Sequence, residues 1–195
     1  MSTPDRLIIG ISGASGVVYA HRMLEVLRDT GIETHLVVSR AAEMTIAYEL
    51  EIKTAEVKAL ADKTYAIADV GAAISSGSFK TLGMVIAPCS VRTMSEIATG
   101  VTSTLLTRAA DVVLKEKRRL TLMVRETPLH LGHLRTMTAL AEMGAIIAPP
   151  LPAFYTEPKT ISELIDQSVG RVLDLYDIET PLTRRWGEDL EKGRR

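Results

Sequence analysis

Leu7-Ile-Ile-Gly-Ile-Ser-Gly-Ala-Ser-Gly16 is the stretch on which the fold of this 195-residue chain turns. An apolar β-branched run that ends in spaced glycines and passes into an amphipathic helix commonly introduces a phosphate-bearing ligand. The helix is expected over 17–30, where Ala20, Met23, Leu24 and Leu27 recur at helical spacing and would face a sheet. Glycine lets backbone N–H groups approach a phosphate, and Ser12 and Ser15 could add hydroxyl donors. The glycines fall at 10, 13 and 16, so the spacing is not Gly-x-Gly-x-x-Gly, and no lysine follows to make a P-loop. The stretch reads as a phosphate cradle of neither standard type, with a tight ligand-free turn as its alternative.

Working outward, Glu33–Ser39 reads as a second strand, followed by a helix from Arg40 to Glu49 along Ala41, Met44, Thr45 and Tyr48. Thr54 is the expected N-cap of a short helix through Leu60. Residues 62–81 carry no clear period, and the small polar loop Ser75-Ser-Gly-Ser78 is a candidate site wall. Met84–Pro88 is a third strand, ending at Cys89, Ser90 and Thr93, with Ser90 as cap of the helix towards Thr99. Leu105–Glu116 is helical, Leu120–Val124 is a fourth strand ending at Arg125-Glu126, His130–Met143 is helical, and Ala145–Ala148 is a fifth strand. Met23, Met44, Met137 and Met143 fall on helix stripes and read as core. Pro149-Pro-Leu-Pro152 breaks regular structure before Ala153-Phe-Tyr155. The last helix, Ile161–Tyr176, has Ile161, Leu164, Ile165, Val169, Val172 and Leu173 as its apolar stripe. A charged tail, 177–195, is expected to reach out from the body onto a neighbouring subunit.

Strands alternating with helices imply a parallel sheet covered on both faces, here as one domain over 1–195. Ligands on such sheets bind beyond the carboxyl ends of the strands. The segments just past the strands therefore make one rim: Ser12 to Gly16, Ser39-Arg40, Cys89 to Thr93, Arg125-Glu126 and the Tyr155 loop. Hydroxyls, helix N-termini and an arginine on one rim suit a phosphorylated ligand with a planar ring. A net charge of −1 gives no case for nucleic acid or an anionic membrane as partner. One cysteine, Cys89, excludes an internal disulfide and fits a reducing, cytoplasmic setting, and no stretch reads as a signal peptide or membrane span.

Gly10–Gly16, Ala87-Pro-Cys-Ser90, Arg108-Ala-Ala-Asp-Val-Val-Leu-Lys-Glu116, Arg125-Glu126 and Pro152-Ala-Phe-Tyr155 occur together in one known family. In these motifs, from about Leu7 to Trp186, the chain resembles the UbiX-type flavin prenyltransferases. The resemblance implies a flavodoxin-like, Rossmann-type three-layer αβα fold with a parallel sheet, assembled as a homododecamer with sites where subunits meet. It implies transfer of a dimethylallyl group from dimethylallyl monophosphate to N5 and C6 of reduced FMN, without a metal. The prenylated FMN then serves a UbiD-type decarboxylase.

By the same resemblance Gly13, Ala14, Ser15, Ser39, Ser90, Val91, Arg92, Thr93 and Arg125 bind FMN. Glu126, Ser15 and Lys115 are implied in catalysis, and Tyr155, Arg171, Lys115, Arg125, Glu49, Arg108 and Trp186 in binding the prenyl phosphate. The residue types are coherent with that chemistry. Lys115, Arg125 and Arg171 could balance a departing phosphate, Tyr155 could donate a hydrogen bond, and Glu126 could protonate the phosphate and then accept a ring proton.

Rival readings are weaker. His130-Leu-Gly-His133 lacks the further ligands of a metal site, and Ser15 is not followed by the glycine two residues on that a hydrolase elbow needs. Cys89 reads as a small packed residue rather than a nucleophile. A flavin-dependent cysteine decarboxylase lacks a convincing catalytic histidine here. An FMN-binding carrier without turnover shares every binding feature and differs only in what Glu126 does.

Overall fold

Strict alternation in the first strand sends Leu7, Ile9 and Ile11 to one core and Ile8 to the other, so the strand is buried on both faces. That is the pattern of a central parallel strand. In the computed structural model, which describes residues 5–188, the strands are β1 (Arg6–Ile11), β2 (Glu33–Val38), β3 (Lys63–Tyr65), β4 (Gly83–Cys89), β5 (Arg119–Val124) and β6 (Ile146–Ile147). The helices are α1 (Val17–Leu27), α2 (Arg40–Glu49), α3 (Thr54–Lys58), α4 (Val91–Ala98), α5 (Leu105–Lys115), α6 (Leu131–Glu142) and α7 (Ile161–Asp174). All pairings are parallel, in the order β3-β2-β1-β4-β5-β6.

This is the dinucleotide-fold order, and without β3 the remaining five strands have the flavodoxin-like order. The two descriptions therefore differ only by an edge strand. The sequence pattern misses β3 because Lys63-Thr-Tyr65 is three residues long with two of them exposed, so no buried run marks it. Its Tyr65 hydroxyl lies 2.8 Å from Nδ1 of the fully buried His35, whose Nε2 meets Glu33 at 2.8 Å. Burial holds that imidazole below its usual pKa, against the opposing pull of Glu33.

One face of the sheet packs α1 and α7 through Met23, Leu24, Leu27, Val169 and Leu173. The other packs α4 and α5 through Met94, Ile97, Leu106, Ala110 and Val113. Each fully buried Leu or Ile is worth about 1.5–3 kcal/mol relative to exposure. Tyr176, just past α7, pins that helix to the sheet by donating to the Met84 carbonyl at 2.7 Å.

Several details differ from the sequence pattern. Thr54 is the first helical residue, not a cap; the cap position is Lys53, whose N–H is taken by Glu56 at 2.8 Å. Met44 and Met143 are exposed, and Ile161 is 76% exposed, so none of the three is core. α6 buries only Leu140 fully and presents Leu131 and Leu134 outward. Residues 178–186 of the tail fold back along α7 and do not reach out, with Ile178 buried and Arg184 bonded to Gln167. Its last part, 189–195, lies outside the described residues, as do residues 1–4. No helix among the described residues is long and apolar enough to cross a membrane.

Candidate functional site

The glycine turn is held by its neighbours before any ligand is considered. Ser12 is buried, donates to the Pro88 carbonyl at 2.8 Å and accepts the Ser90 N–H at 2.7 Å. Its hydroxyl therefore splices the ends of β1 and β4 and is not the ligand donor that the sequence offered. Gly16 is the N-cap of α1, in the left-handed region at φ 103°, with no side chain to receive the first amides. Glu49 at the end of α2 supplies the missing cap: its Oε2 accepts Gly16 N–H at 2.8 Å and Val17 N–H at 3.2 Å.

This placement revises the cradle. The positive end of α1 is already met by a carboxylate, so a ligand phosphate would have to displace Glu49 to sit there. Truncating the cap leaves two amides without their acceptor. Glu49→Ala is expected to cost about 1 kcal/mol of stability, read as a lowered Tm, with Glu49→Gln retaining most of it because the amide oxygen can still accept.

The starts of α4 and α2 offer a second place for an anion. Ser39 caps α2, accepting Ala42 N–H at 3.1 Å, and Ser90 caps α4, accepting Thr93 N–H at 3.3 Å. A trough of about 610 Å³ runs between these helix starts, lined by Gly13, Ser39, Arg40, Ser90, Arg92 and Thr93. A second trough of about 520 Å³ adjoins it, sharing Gly13 and Ser90 and adding Ala14, Ser15, Val91, Arg125 and Glu126, with Pro149–Leu151 as its wall. Hydroxyls, two helix N-termini and arginines at one end, with apolar and proline surface at the other, fit a flavin mononucleotide in both size and donor set. Arg40 belongs to this wall and lacked any distinguishing sequence signal beyond its place after a strand.

Arg125 and Glu126 sit where β5 ends. Arg125 N–H donates to the Cys89 carbonyl at 3.1 Å, and its side chain lies across the glycine turn, since a Cβ on Gly16 would meet Arg125 Cδ at 2.8 Å. Tyr19 shares that corner; burial pushes its phenol pKa up, and the nearby Arg125 charge opposes the shift. Glu126 is exposed at the mouth, one oxygen accepting the Thr127 N–H at 2.9 Å. Cys89 is fully buried, with its thiol pushed up to about 12 by burial, which fits packing and not nucleophilic chemistry.

Arg171 lies behind the proline wall, in a cavity of about 200 Å³ that also takes in Pro149–Leu151, and pairs with Asp174 at 2.7 Å. Tyr155 stands on the short turn Phe154–Thr156, edge-on to Trp186 with ring centroids 5.6 Å apart.

Lys115 does not join the group, whereas Arg108 follows directly on Thr107, which lines the first trough. Arg108 pairs with Asp111 on α5, and Lys115 with Glu116 at that helix's far end, beside the loop Ser75–Ser78 through Gly77. β5 begins four residues after Lys115 and rises about 3.3 Å per residue to Arg125, so the two cations lie at opposite ends of the sheet. The Ser75–Ser78 loop is likewise no wall of this rim. His130 and His133 stack at 3.5 Å, and His130 Nδ1 accepts Gly132 N–H as the cap of α6. Among the described residues no group of three or more His, Cys, Asp or Glu could hold a metal ion.

The fold and this rim define a flavin-binding α/β protein, and a family model described as Flavoprotein matches residues 1–180. The Flavin prenyltransferase UbiX of Escherichia coli K12 is 60% identical over 184 residues, spanning 93% of this chain and 97% of the relative. The chain belongs to the UbiX flavin prenyltransferase family. A crystal structure of AnUbiX (PadA1) in complex with FMN and dimethylallyl pyrophosphate superimposes with a TM-score of 0.93 at 47% identity, covering 94% and 98% of the two chains. A dodecameric FMN-dependent Ubix-like decarboxylase from Escherichia coli O157:H7 gives 0.91 at 46% identity, covering 93% and 98%.

Proposed function

We propose that this chain is a flavin prenyltransferase that joins a dimethylallyl group, from dimethylallyl monophosphate, to N5 and C6 of reduced FMN. The observation that carries this reading is the pair of adjoining troughs. One offers hydroxyls, helix starts and arginines suited to a flavin phosphate, and the other brings Arg125 and Glu126 to the turn Gly13–Ser15. Ser39, Ser90, Arg92 and Thr93 would hold the phosphate end of FMN, with Gly13, Ala14, Ser15, Val91 and Arg125 along its ring. Bound reduced flavin supplies the electron-rich ring that accepts the allyl group.

The protein's share is charge balance, proton transfer and positioning. Arg125 faces the departing phosphate from this chain, with Ser15 as a hydroxyl on the turn and Tyr155 as a hydrogen-bond donor, while Arg171, behind the proline wall and paired with Asp174, adds its charge from there. Glu126, exposed at the trough, protonates the phosphate as it leaves and takes the ring proton released afterwards. Glu49 acts on this reading through the turn, by fixing Gly16 and Val17. Trp186 walls the Tyr155 side.

Lys115 enters the site from a neighbouring copy, since its own protomer holds it at the other end of the sheet, whereas Arg108 stands near the start of α5, next to the Thr107 of the first trough. A homododecamer supplies such neighbours, and its contacts cover the outward apolar faces of α6 and α2, where Leu131, Leu134, Met44 and Tyr48 stand exposed. One domain, a cytoplasmic setting for the reduced, buried Cys89, and a UbiD-type decarboxylase as recipient of the product complete the reading.

Anaerobic incubation with reduced FMN and dimethylallyl monophosphate, followed by mass spectrometry of the released flavin, tests it. A flavin heavier by one dimethylallyl unit is expected. Unmodified flavin with both the monophosphate and the diphosphate donor overturns the reading.

A further inference from the structure

The α7 face that carries Arg171 also carries Gln167, one turn earlier, and Gly170, which lies under the returning chain at Thr183. Gln167 is a polar side chain only 3% exposed. We propose that Gln167 is a positioning residue for Tyr155, setting its phenol as a hydrogen-bond donor towards the prenyl phosphate; this rests on the prenyltransferase reading.

The neighbours of the carboxamide decide which of its atoms faces where. The Arg184 backbone N–H comes within 2.9 Å of the side chain and can only donate, so the atom it meets is the amide oxygen, Oε1. The amide nitrogen therefore faces the other way, and lies 3.2 Å from the Arg184 carbonyl and 3.4 Å from the Tyr155 hydroxyl. An amide nitrogen has hydrogens and no lone pair to offer, so in that contact the phenol oxygen is the acceptor. The hydrogen of Tyr155 is thereby turned away from Gln167. An ionised phosphate offers only acceptors, so a tyrosine that binds it must present its hydrogen.

The same carboxamide holds the chain segment that confines the ring. Arg184, gripped at both its N–H and carbonyl by Gln167, also bonds through its guanidinium to the Thr156 carbonyl, next to Tyr155. Trp186, two residues on, closes edge-on against the Tyr155 ring at 5.6 Å and 78°. One buried group thus sets both the place of the ring and the polarity of its hydroxyl. Its full hydrogen bonding explains a polar residue where helix spacing would put an apolar one.

The test is a double-mutant cycle read as donor binding. Calorimetry measures the Kd of dimethylallyl monophosphate for protein loaded with oxidised FMN, which binds without turnover. Gln167→Met is expected to weaken that Kd about tenfold, to leave the FMN Kd within about twofold, and to change donor affinity less than about twofold in a Tyr155→Phe background. In turnover the same factor appears in KM for the donor and not in KM for reduced FMN.

Gln167→Glu, which keeps an acceptor for Arg184 but no obligatory donor for Tyr155, runs through the same cycle if the methionine variant fails to fold. Unchanged donor affinity, or an equal loss in the Tyr155→Phe background, overturns the proposal. The activity reading fails separately: wild-type protein that binds the donor yet forms no adduct sinks the prenyltransferase assignment and leaves the cycle to decide Gln167. Wild-type protein that binds no donor sinks both.

Discussion

Glu126→Gln is expected to lower kcat for prenyl transfer by about 10²- to 10⁴-fold while the FMN Kd stays within about twofold. The separation follows from where the carboxyl sits. Glu126 stands at the mouth of the second trough, exposed, with one oxygen held by the Thr127 N–H at 2.9 Å. The FMN contacts of the proposed reading come from other residues, those at the starts of α2 and α4 and along the turn Gly13–Ser15. Glutamine keeps the size and can still accept the Thr127 amide through its oxygen, so the loop geometry survives. It can neither give a proton to phosphate nor take one from a flavin ring. A protein that only carries FMN loses nothing by this change, so anaerobic single-turnover assays beside flavin titration distinguish enzyme from carrier. Equal turnover in the variant and the wild type would falsify the role given to Glu126.

The rim was legible in the sequence because each parallel strand announced its own end. Leu7–Ile11, Met84–Pro88 and Leu120–Val124 are apolar runs stopped by small or charged residues, and the fold rule then places those stops together. What was not legible depends on partners distant in sequence. Ser12 looks like a ligand hydroxyl until Pro88 and Ser90, 76 and 78 residues on, consume it. Glu49 enters the sequence reading only through the resemblance, as a phosphate-site residue, and its capping of Gly16 appears only once α2 is packed beside α1.

The tail misled for a similar reason. Its charges imply solvent, yet Arg184 and Arg185 find Thr156, Gln167 and Asp174 waiting on and beside α7. Lys115 shows the converse limit. Its residue type matches the family, but a single chain has it on the wrong end of the sheet, and on the proposed reading assembly reconciles motif with geometry.

Gly13→Ala is expected to lower stability by about 1–3 kcal/mol, a Tm fall of several degrees, and to weaken FMN binding at least tenfold. A Cβ on Gly13 would overlap the Cβ of Ala41, in the first turn of α2. The chain can relieve this only by pushing α2 away from the turn. That motion carries Ser39 and Arg40 with it, and both line the trough that Gly13 also lines. Stability and flavin affinity should therefore fall together, unlike in Glu126→Gln.

The overlap has one principal partner, so it can be undone. In Gly13→Ala with Ala41→Gly, the nearest remaining atoms are the backbone carbon and Cα of residue 41, at 3.3 and 3.4 Å, which small shifts accommodate. Flavin affinity should return to within a few fold, with about 1 kcal/mol still lost to a glycine inside a helix. Gly16 offers the contrast. Its φ of 103° penalises any side chain whatever the space around it, so no substitution at Arg125 or Tyr19 should fully rescue Gly16→Ala. Two glycines three residues apart thus serve different ends: Gly13 lets a helix come close enough to bring its N-terminus to the ligand, and Gly16 turns the chain into the next helix. Rescue at the first and its failure at the second, measured by flavin titration and thermal melts, would separate them.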